Sequence, residues 1–272
     1  MIRDLHSHST ASDGMLTPAQ LVERAVEFNI EMLALTDHDT LAGIEEAKRF
    51  AQTQPIEFIS GVEISILWEG KSIHLAALNV DENNEDLLKL MQSQADLRQR
   101  RAELIGEKLA KAGVANAYEG AKALASGEVT RAHYARFLVS QGYVRNDEQA
   151  FKRYLGIGKS AYVKPEWCSL EEAITATHQA GGVICVAHPL RYKLTARWIR
   201  RLISAFKEAG GDGIEVAGCG QSPDQRQLLA RWANEFELYA SAGSDFHYPA
   251  GWIELGKNLN LPQDCKPIWD KF

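Results

Sequence analysis

Residues 2–8, Ile2-Arg3-Asp4-Leu5-His6-Ser7-His8, read as a short strand that ends in two histidines. In an extended chain, residues two apart point to one face, so His6 and His8 can reach the same ion. Later segments carry imidazole or carboxylate in the same way: Thr36-Asp37-His38-Asp39, Gly61-Val62-Glu63, His74, Ala187-His188-Pro189 and Gly243-Ser244-Asp245-Phe246-His247. Six of the eight histidines thus stand at expected strand ends, with acidic residues beside them. Imidazole and carboxylate are the usual ligands of divalent first-row metals. Strands that each deliver such a group to one edge of a sheet build a site for more than one ion. The chemistry expected there is metal-assisted hydrolysis.

Strand and helix signals alternate along most of the chain. Strands are expected at Ile2–His6, Met32–Thr36, Ile56–Gly61, Glu63–Leu67, Ile73–Val80, Val183–Ala187, Gly213–Val216 and Leu238–Ser241, with a turn at Glu69-Gly70. Helices are expected from Thr17-Pro18-Ala19-Gln20, from about Thr40 to Ala51, from Ser169-x-x-Glu172 to Gly181-Gly182, over Ala196–Ala209 and over Ser222–Phe236. Three of these open with a capping box, and two of those place Pro at the first helical position. Such alternation implies a mainly parallel sheet with functional groups on its carboxyl edge. About seven units suggest a closed or nearly closed α/β barrel, which places chemistry at that edge. Residues 85–165 break the pattern with helical signals alone, so 1–84 and 166–272 are expected to form the barrel and 85–165 a helical insert or cap.

At 272 residues the chain can bury a full core, and its 45% hydrophobic and 24% charged content is ordinary for a globular protein. No apolar run approaches the roughly 20 residues of a membrane span. The chain opens directly on a strand, so no signal peptide is expected. Cys168, Cys185, Cys219 and Cys265 are scattered and form no C-x-x-C, which fits buried thiols in a reducing cytoplasm. The net charge of −6 hides an asymmetry: residues 85–165 hold 14 Lys/Arg against 9 Asp/Glu, while the remainder holds 16 against 27. A basic insert facing a metal cluster favours an anionic substrate.

Taken singly, the ligand signals are modest; together they point to metal. A lone strand-end histidine such as His38 is more often structural. A carboxylate such as Glu63 aimed into a barrel mouth costs on the order of several kcal/mol unless paired or metal-bound. Asp13, in the first loop, is the one candidate away from a strand end. Gly156-Ile157-Gly158-Lys159-Ser160 ends like a P-loop, but Arg153 stands where the first glycine is required and no buried strand precedes it. His178 lies within a helix and is expected to be a surface residue.

The motifs D-L-H-S-H-S-x-x-S-D-G (4–14), T-D-H-D (36–39), G-V-E (61–63), I-H-L (73–75), A-H-P (187–189) and G-S-D-F-H (243–247) resemble those of the PHP (polymerase and histidinol phosphatase) family. The resemblance spans residues 1–80 and 168–247. Within the insert, L-R-Q-R-R (97–101), T-R-A-H-Y-A-R-F-L (130–138) and Y-L-G-I-G-K-S-A-Y-V (154–163), with H-P-L-R-Y (188–192), are similar to stand-alone bacterial members that act on nucleotides and short RNA. Leu190 departs from an expected glycine. The resemblance implies a distorted (β/α)7-type PHP barrel and three metal positions. His6, His8, Glu63 and Asp245 would hold the first, and Glu63 would bridge to a second completed by His74 and His188. Asp13, His38 and His247 would hold a third. It implies manganese, two or three ions, with iron or zinc as alternatives.

It also implies hydrolysis of the phosphoester on the 3′ side of a 5′-phosphorylated nucleotide. Nucleoside 3′,5′-bisphosphates would give 5′-monophosphates, and short single-stranded RNA would be trimmed from its 5′ end. No side-chain nucleophile is expected, only in-line attack by water activated at the metal cluster. Arg98, Arg101, Arg131, His133 and Arg191 are the candidates for a second phosphate of the substrate, since Arg forks match phosphate geometry. Histidinol-phosphate phosphatase, or another small-molecule phosphatase, is the rival, but a basic insert is unnecessary for a small monophosphate. An amidohydrolase would commonly carry a modified Lys where Glu63 stands, and a non-catalytic relative would lack some ligands. Neither a membrane nor an obligatory protein partner is indicated.

Overall fold

The computed structural model describes residues 2–272. In chain order the barrel elements are β1 (Ile2–Asp4), α1 (Pro18–Glu27), β2 (Ile30–Leu35), α2 (Ile44–Ala51), β3 (Glu57–Trp68) and β4 (Lys71–Leu78). The insert contributes α3 (Glu85–Lys111), α4 (Ala117–Ala123), α5 (Arg131–Ser140) and α6 (Asp147–Ala150), the last running into a π-helical turn at Phe151–Leu155. The barrel resumes with α7 (Leu170–Gln179), β5 (Val183–Val186), α8 (Ala196–Glu208), β6 (Gly213–Gly218), α9 (Pro223–Glu235) and β7 (Tyr239–Gly243). The capping boxes expected at Thr17, Ser169 and Ser222 all form, each hydroxyl accepting from the backbone N–H three residues on and each Gln or Glu accepting in return.

The strands lie side by side in chain order, as one sheet of seven. Neighbours are parallel except β3–β4 and β4–β5, which are antiparallel. The sheet curls until its edges meet: Leu5 donates to Ala242, His8 to Phe246 and Asp245 to His6, each at 2.9 Å. The seam lies just beyond the ends of β1 and β7, in the segments that carry the histidines. Alternation along β2 shows how the layers form. Leu33 and Leu35 pack outward against α1 and α2, while Met32 and Ala34 join Leu5, Ile59, Leu78 and Cys185 in the interior.

One expectation is corrected. Ile56–Gly61 and Glu63–Leu67 are one continuous strand, because β3 changes partner midway: Glu57–Ser60 pair with β2 and Gly61–Trp68 with β4. Glu63 and His74 therefore sit inside strands, and both reach the carboxyl edge of the parallel set because β2 has already ended beside them. The sheet is mainly parallel, as expected, with one antiparallel excursion through β4.

Between β4 and α7 every element is a helix, and α3 serves two cores. Its first turns bury Leu87 and Met91 in the barrel's largest cluster, and its later turns bury Ala102, Ile105 and Leu109 with Tyr134, Phe137 and Leu138 of α5. The Tyr134 hydroxyl donates to Ala102 O at 2.6 Å across this second core. Gly120 permits the contact of α4 with α5, since a methyl there would fall 2.1 Å from the Phe137 ring. Gly120→Ala should thus overpack the insert and cost about 1–3 kcal/mol. A chemical-denaturation midpoint no lower than that of the parent chain would contradict this packing.

Candidate metal centre

The ligand-bearing loops are fixed from beneath by buried carboxylates. Asp4, at the end of β1, accepts from Ser244 N at 2.8 Å and Gly256 N at 2.9 Å, tying β1 to the segment after β7. Asp37 accepts from Ser9 N and Oγ and from Ser12 Oγ at 2.5–2.8 Å, folding the loop that presents Asp13. Gly14 is required in that loop, where a methyl would lie 2.4 Å from His8 O. His188 and Asp245 both adopt positive φ, 30° and 55°, a strained backbone held by the surrounding structure.

Glu63 is the hub. Its Oε2 lies 2.8 Å from His38 Nδ1 and 3.3 Å from both His6 Nε2 and His8 Nε2. Its Oε1 lies 3.0 Å from His74 Nδ1 and 2.8 Å from His188 Nε2. Asp245 Oδ1 is 3.1 Å from His8 Nε2 and 3.4 Å from His6 Nε2, and Asp13 Oδ1 is 3.3 Å from His247 Nε2. Ligating atoms fall into overlapping groups within 4.8 Å: His6, His8, Glu63 and Asp245; His8, Asp13, His38 and His247; and His38, Glu63 and His74. All nine residues expected from the sequence converge. The third group takes in His38, while His188 approaches the same Glu63 oxygen as His74, the pair expected beside Glu63 at the second position.

This donor set fits divalent cations. Buried atoms His6 Nε2, His8 Nδ1, Asp13 Oδ1, His38 Nδ1, Glu63 Oε2 and His188 Nδ1 lack a hydrogen-bond partner among the described residues. So many orphaned groups in one place are costly to bury unless a cation engages them. Burial alone would push Glu63 towards its neutral form, but the charges of His74, His38 and His6 outweigh it and hold the carboxyl well below its ordinary range. Asp245 and Asp13 are likewise buried and held low, Asp245 chiefly by His247 and His6 and Asp13 chiefly by His38 and His247. The carboxylates are therefore ionised at neutral pH, ready to bind metal.

Glu215, on β6, escaped the sequence reading. Its Oε1 lies 2.6 Å from His6 Nδ1, and its Oε2 accepts from the backbone N–H of His188 at 2.5 Å. A proton on His6 Nδ1 shared with Glu215 leaves Nε2 free to ligate, the usual support for a metal-binding imidazole. The only sequence trace of this role is a carboxylate inside the apolar run Gly213–Gly218.

The five substrate-binding candidates separate. Arg101 and Arg131 line a cleft with Asp13, His38 and His74, its aromatic walls being Trp167 and Phe151. Among the described residues neither has a carboxylate partner; Arg101 Nε donates to Val163 O at 3.2 Å. Burial, reinforced by the charges of Arg131 and Arg98, pushes Arg101 down to about 9, and burial lowers Arg131 as well. Arg98 also lines the cleft but spends its Nε on Asp39 Oδ2 at 2.7 Å and a terminal nitrogen on Ser65 Oγ at 2.9 Å, clamping α3 to the barrel. His133 closes the cap of α5, its Nδ1 accepting from Thr130 N at 3.0 Å, and burial lowers it to about 4, so it carries no charge at neutral pH. Arg191 pairs with Asp245 and lies on the other side of the cluster, in a different cavity. His178, as expected, is a surface residue, and it pairs with Asp212.

Glu215→Ala should weaken metal binding about 10- to 100-fold, the usual loss when a ligand's supporting carboxylate is removed. Competition against a metal-chelating dye measures this without reference to activity, and undiminished affinity would remove Glu215 from the site.

The PHP domain model matches residues 4–211. The chain is 60% identical over 269 residues to a 5′-3′ exoribonuclease of Haemophilus influenzae, covering 99% of this chain and 98% of that one. It is 40% identical over 269 residues to a 3′,5′-nucleoside bisphosphate phosphatase of Chromobacterium violaceum, covering 98% and 94%. Among solved structures, a Chromobacterium violaceum chain described as an amidohydrolase with bound sulfate superposes with a TM-score of 0.94 at 40% identity, covering 100% of this chain and 95% of that one. With its motifs, fold and convergent ligands in agreement, the chain belongs to the PHP domain family.

Proposed function

We propose that this protein is a metal-dependent phosphoesterase that cuts the ester on the 3′ side of a 5′-phosphorylated nucleotide. It converts nucleoside 3′,5′-bisphosphates to 5′-monophosphates and trims short RNA from the 5′ end. The activities of its relatives support this, and one observation carries it: Arg101 and Arg131, without acidic partners, face the metal-ligand cluster across a shared cleft. Two half-buried guanidiniums lining one cleft, with the charge of Arg131 helping to lower Arg101, mark a place for a dianion. A small monophosphate such as histidinol phosphate would have no second phosphate to meet them.

Residues 85–165 act in this proposal as the substrate-selecting cap, and 1–84 with 166–272 as the metal-binding barrel. The residues that would hold the ions are His6, His8, Asp13, His38, Glu63, His74, His188, Asp245 and His247. Divalent ions bound there would neutralise the phosphoryl oxygens and acidify an attacking water. Manganese is the ion proposed, consistent with a nitrogen-rich mixed donor set. Arg101 and Arg131 grip the 5′-phosphate, which sets the distance from that phosphate to the bond that breaks. Glu215 holds His6 in one tautomer, and Arg191 balances the charge of Asp245. The chain supplies no nucleophile: water attacks phosphorus, the P–O3′ bond breaks, and the 3′ oxygen leaves with a proton. The proposed compartment is the cytoplasm, in keeping with four unpaired thiols. Among the described residues no helix is long and apolar enough to cross a membrane.

Replacing Arg101 or Arg131 by Ala tests the proposal. Each charged hydrogen bond to phosphate is worth about 1.5–3 kcal/mol, so kcat/KM for a nucleoside 3′,5′-bisphosphate should fall roughly ten- to hundredfold. Hydrolysis of a nucleoside 3′-monophosphate should hardly change, and the preference for RNA bearing a 5′-phosphate over a 5′-hydroxyl should vanish. Equal losses on both substrate types would place these residues in bond cleavage or folding instead.

A further inference from the structure

A second cavity reaches the metal-ligand cluster from the side away from the arginines. His188, Arg191, Glu215 and Asp245 form its inner wall and Trp252 its outer one. Glycines, Gly218 and Gly220 among them, leave a volume of about 400 Å³, room for one nucleoside-sized group. A side chain at Gly220 would meet nothing within 4 Å. Trp252 is 67% exposed, the most exposed of the tryptophans, on a loop held by Cys219 Sγ against Trp252 O at 3.4 Å. Arg101, Arg131 and Trp167 do not line this cavity. The ligand cluster therefore stands between two chambers, one basic and aromatic, the other glycine-floored with a single exposed indole.

A bisphosphate needs only the first chamber, because its 3′-phosphate carries nothing beyond its own oxygens. RNA differs. The phosphorus under attack also bears the O5′ of the next nucleotide. When water adds and the P–O3′ bond breaks, the 3′ oxygen departs with the 5′ nucleotide and gains a proton. The downstream chain keeps the phosphate as its new 5′-phosphate. With the first nucleotide in the arginine cleft, the downstream nucleoside needs a separate way out of the cluster. We infer that the cavity beside Trp252 receives the nucleotide immediately 3′ of the scissile phosphate, its base stacked on the Trp252 indole. Stacking on an aromatic face accepts any base, as trimming of RNA of mixed sequence requires. Arg191, at the mouth between cluster and cavity, places a guanidinium where the chain passes from one chamber to the other. The inference rests on the phosphoesterase activity proposed above and adds to it a subsite that only RNA occupies.

The test compares kcat/KM for the 5′-phosphorylated dinucleotide pApA with that for adenosine 3′,5′-bisphosphate. Trp252→Ala should lower the dinucleotide value at least about fivefold, the low end of a lost base stack, and leave the bisphosphate value unchanged. Trp252→Phe should restore most of the loss. A dinucleotide whose downstream residue is abasic should be cut by the parent chain as slowly as Trp252→Ala cuts pApA, and Trp252→Ala should slow it no further. Unchanged cleavage of pApA by Trp252→Ala, or an equal loss on both substrates, would overturn the subsite while leaving the proposed activity standing. A parent chain inactive on both substrates would remove that activity, and this inference with it.

Discussion

Five imidazoles lie within 3.3 Å of the two oxygens of the fully buried Glu63 carboxylate. A carboxylate so placed is tolerable only when surrounded by positive charge, supplied by protons on those rings or by metal among them. The requirement reaches into the fold. His6 and His8 must leave β1 beside the end of β7, His38 must leave β2 where β3 changes partner, and His74 must point inwards from the antiparallel β4. Asp4, Asp37 and Glu215 are buried to hold those positions. The barrel is distorted where it is because its ligands come from both parallel and antiparallel strands.

The insert extends the same economy of charge. Asp39, one residue after His38, takes hydrogen bonds from Ser65 N, Gln94 and Arg98, so the clamp that seats α3 is built on the loop that presents a candidate ligand. Fixing Arg98 in this way leaves Arg101 and Arg131 as the cations facing the cluster. The insert's own core keeps α5 and α3 at a set spacing, which positions both guanidiniums over Asp13, His38 and His74. Among the described residues that line the cavity on the opposite flank, Arg191 is the one such cation, and Asp245 already engages it. In the proposed function, this asymmetry of the two flanks is what gives the substrate a direction.

Most of the ligands are legible in the sequence because they stand in or at the end of strand-like runs, where an interior does not otherwise accept imidazole or carboxylate; Asp13, in a polar loop, is the exception. The capping boxes were legible because their partners are three residues apart. What could not be read depends on distant pairing. Glu215 meets His6 across 209 positions, and Arg98 meets Asp39 across 59. Nothing local distinguishes Arg98 from Arg101, yet one is a clamp and the other faces the cleft. His133 stands three residues after Thr130 and caps its helix locally, but the burial that keeps it neutral is a tertiary fact. The unbroken course of β3 through Gly61 was missed for a similar reason, since its two halves are satisfied by different neighbours.

The central claim is that the metal cluster and the Arg101–Arg131 cleft together measure a 5′-phosphorylated nucleotide. A crystal structure of the manganese-loaded protein with adenosine 5′-monophosphate, the proposed product, tests it most directly, with anomalous scattering to locate the ions. The account predicts ions on the oxygens of Glu63, the 5′-phosphate on Arg101 and Arg131, and the 3′-hydroxyl turned towards the cluster. A 5′-phosphate bound at Arg191, or ions that leave Glu63 uncoordinated, would contradict it.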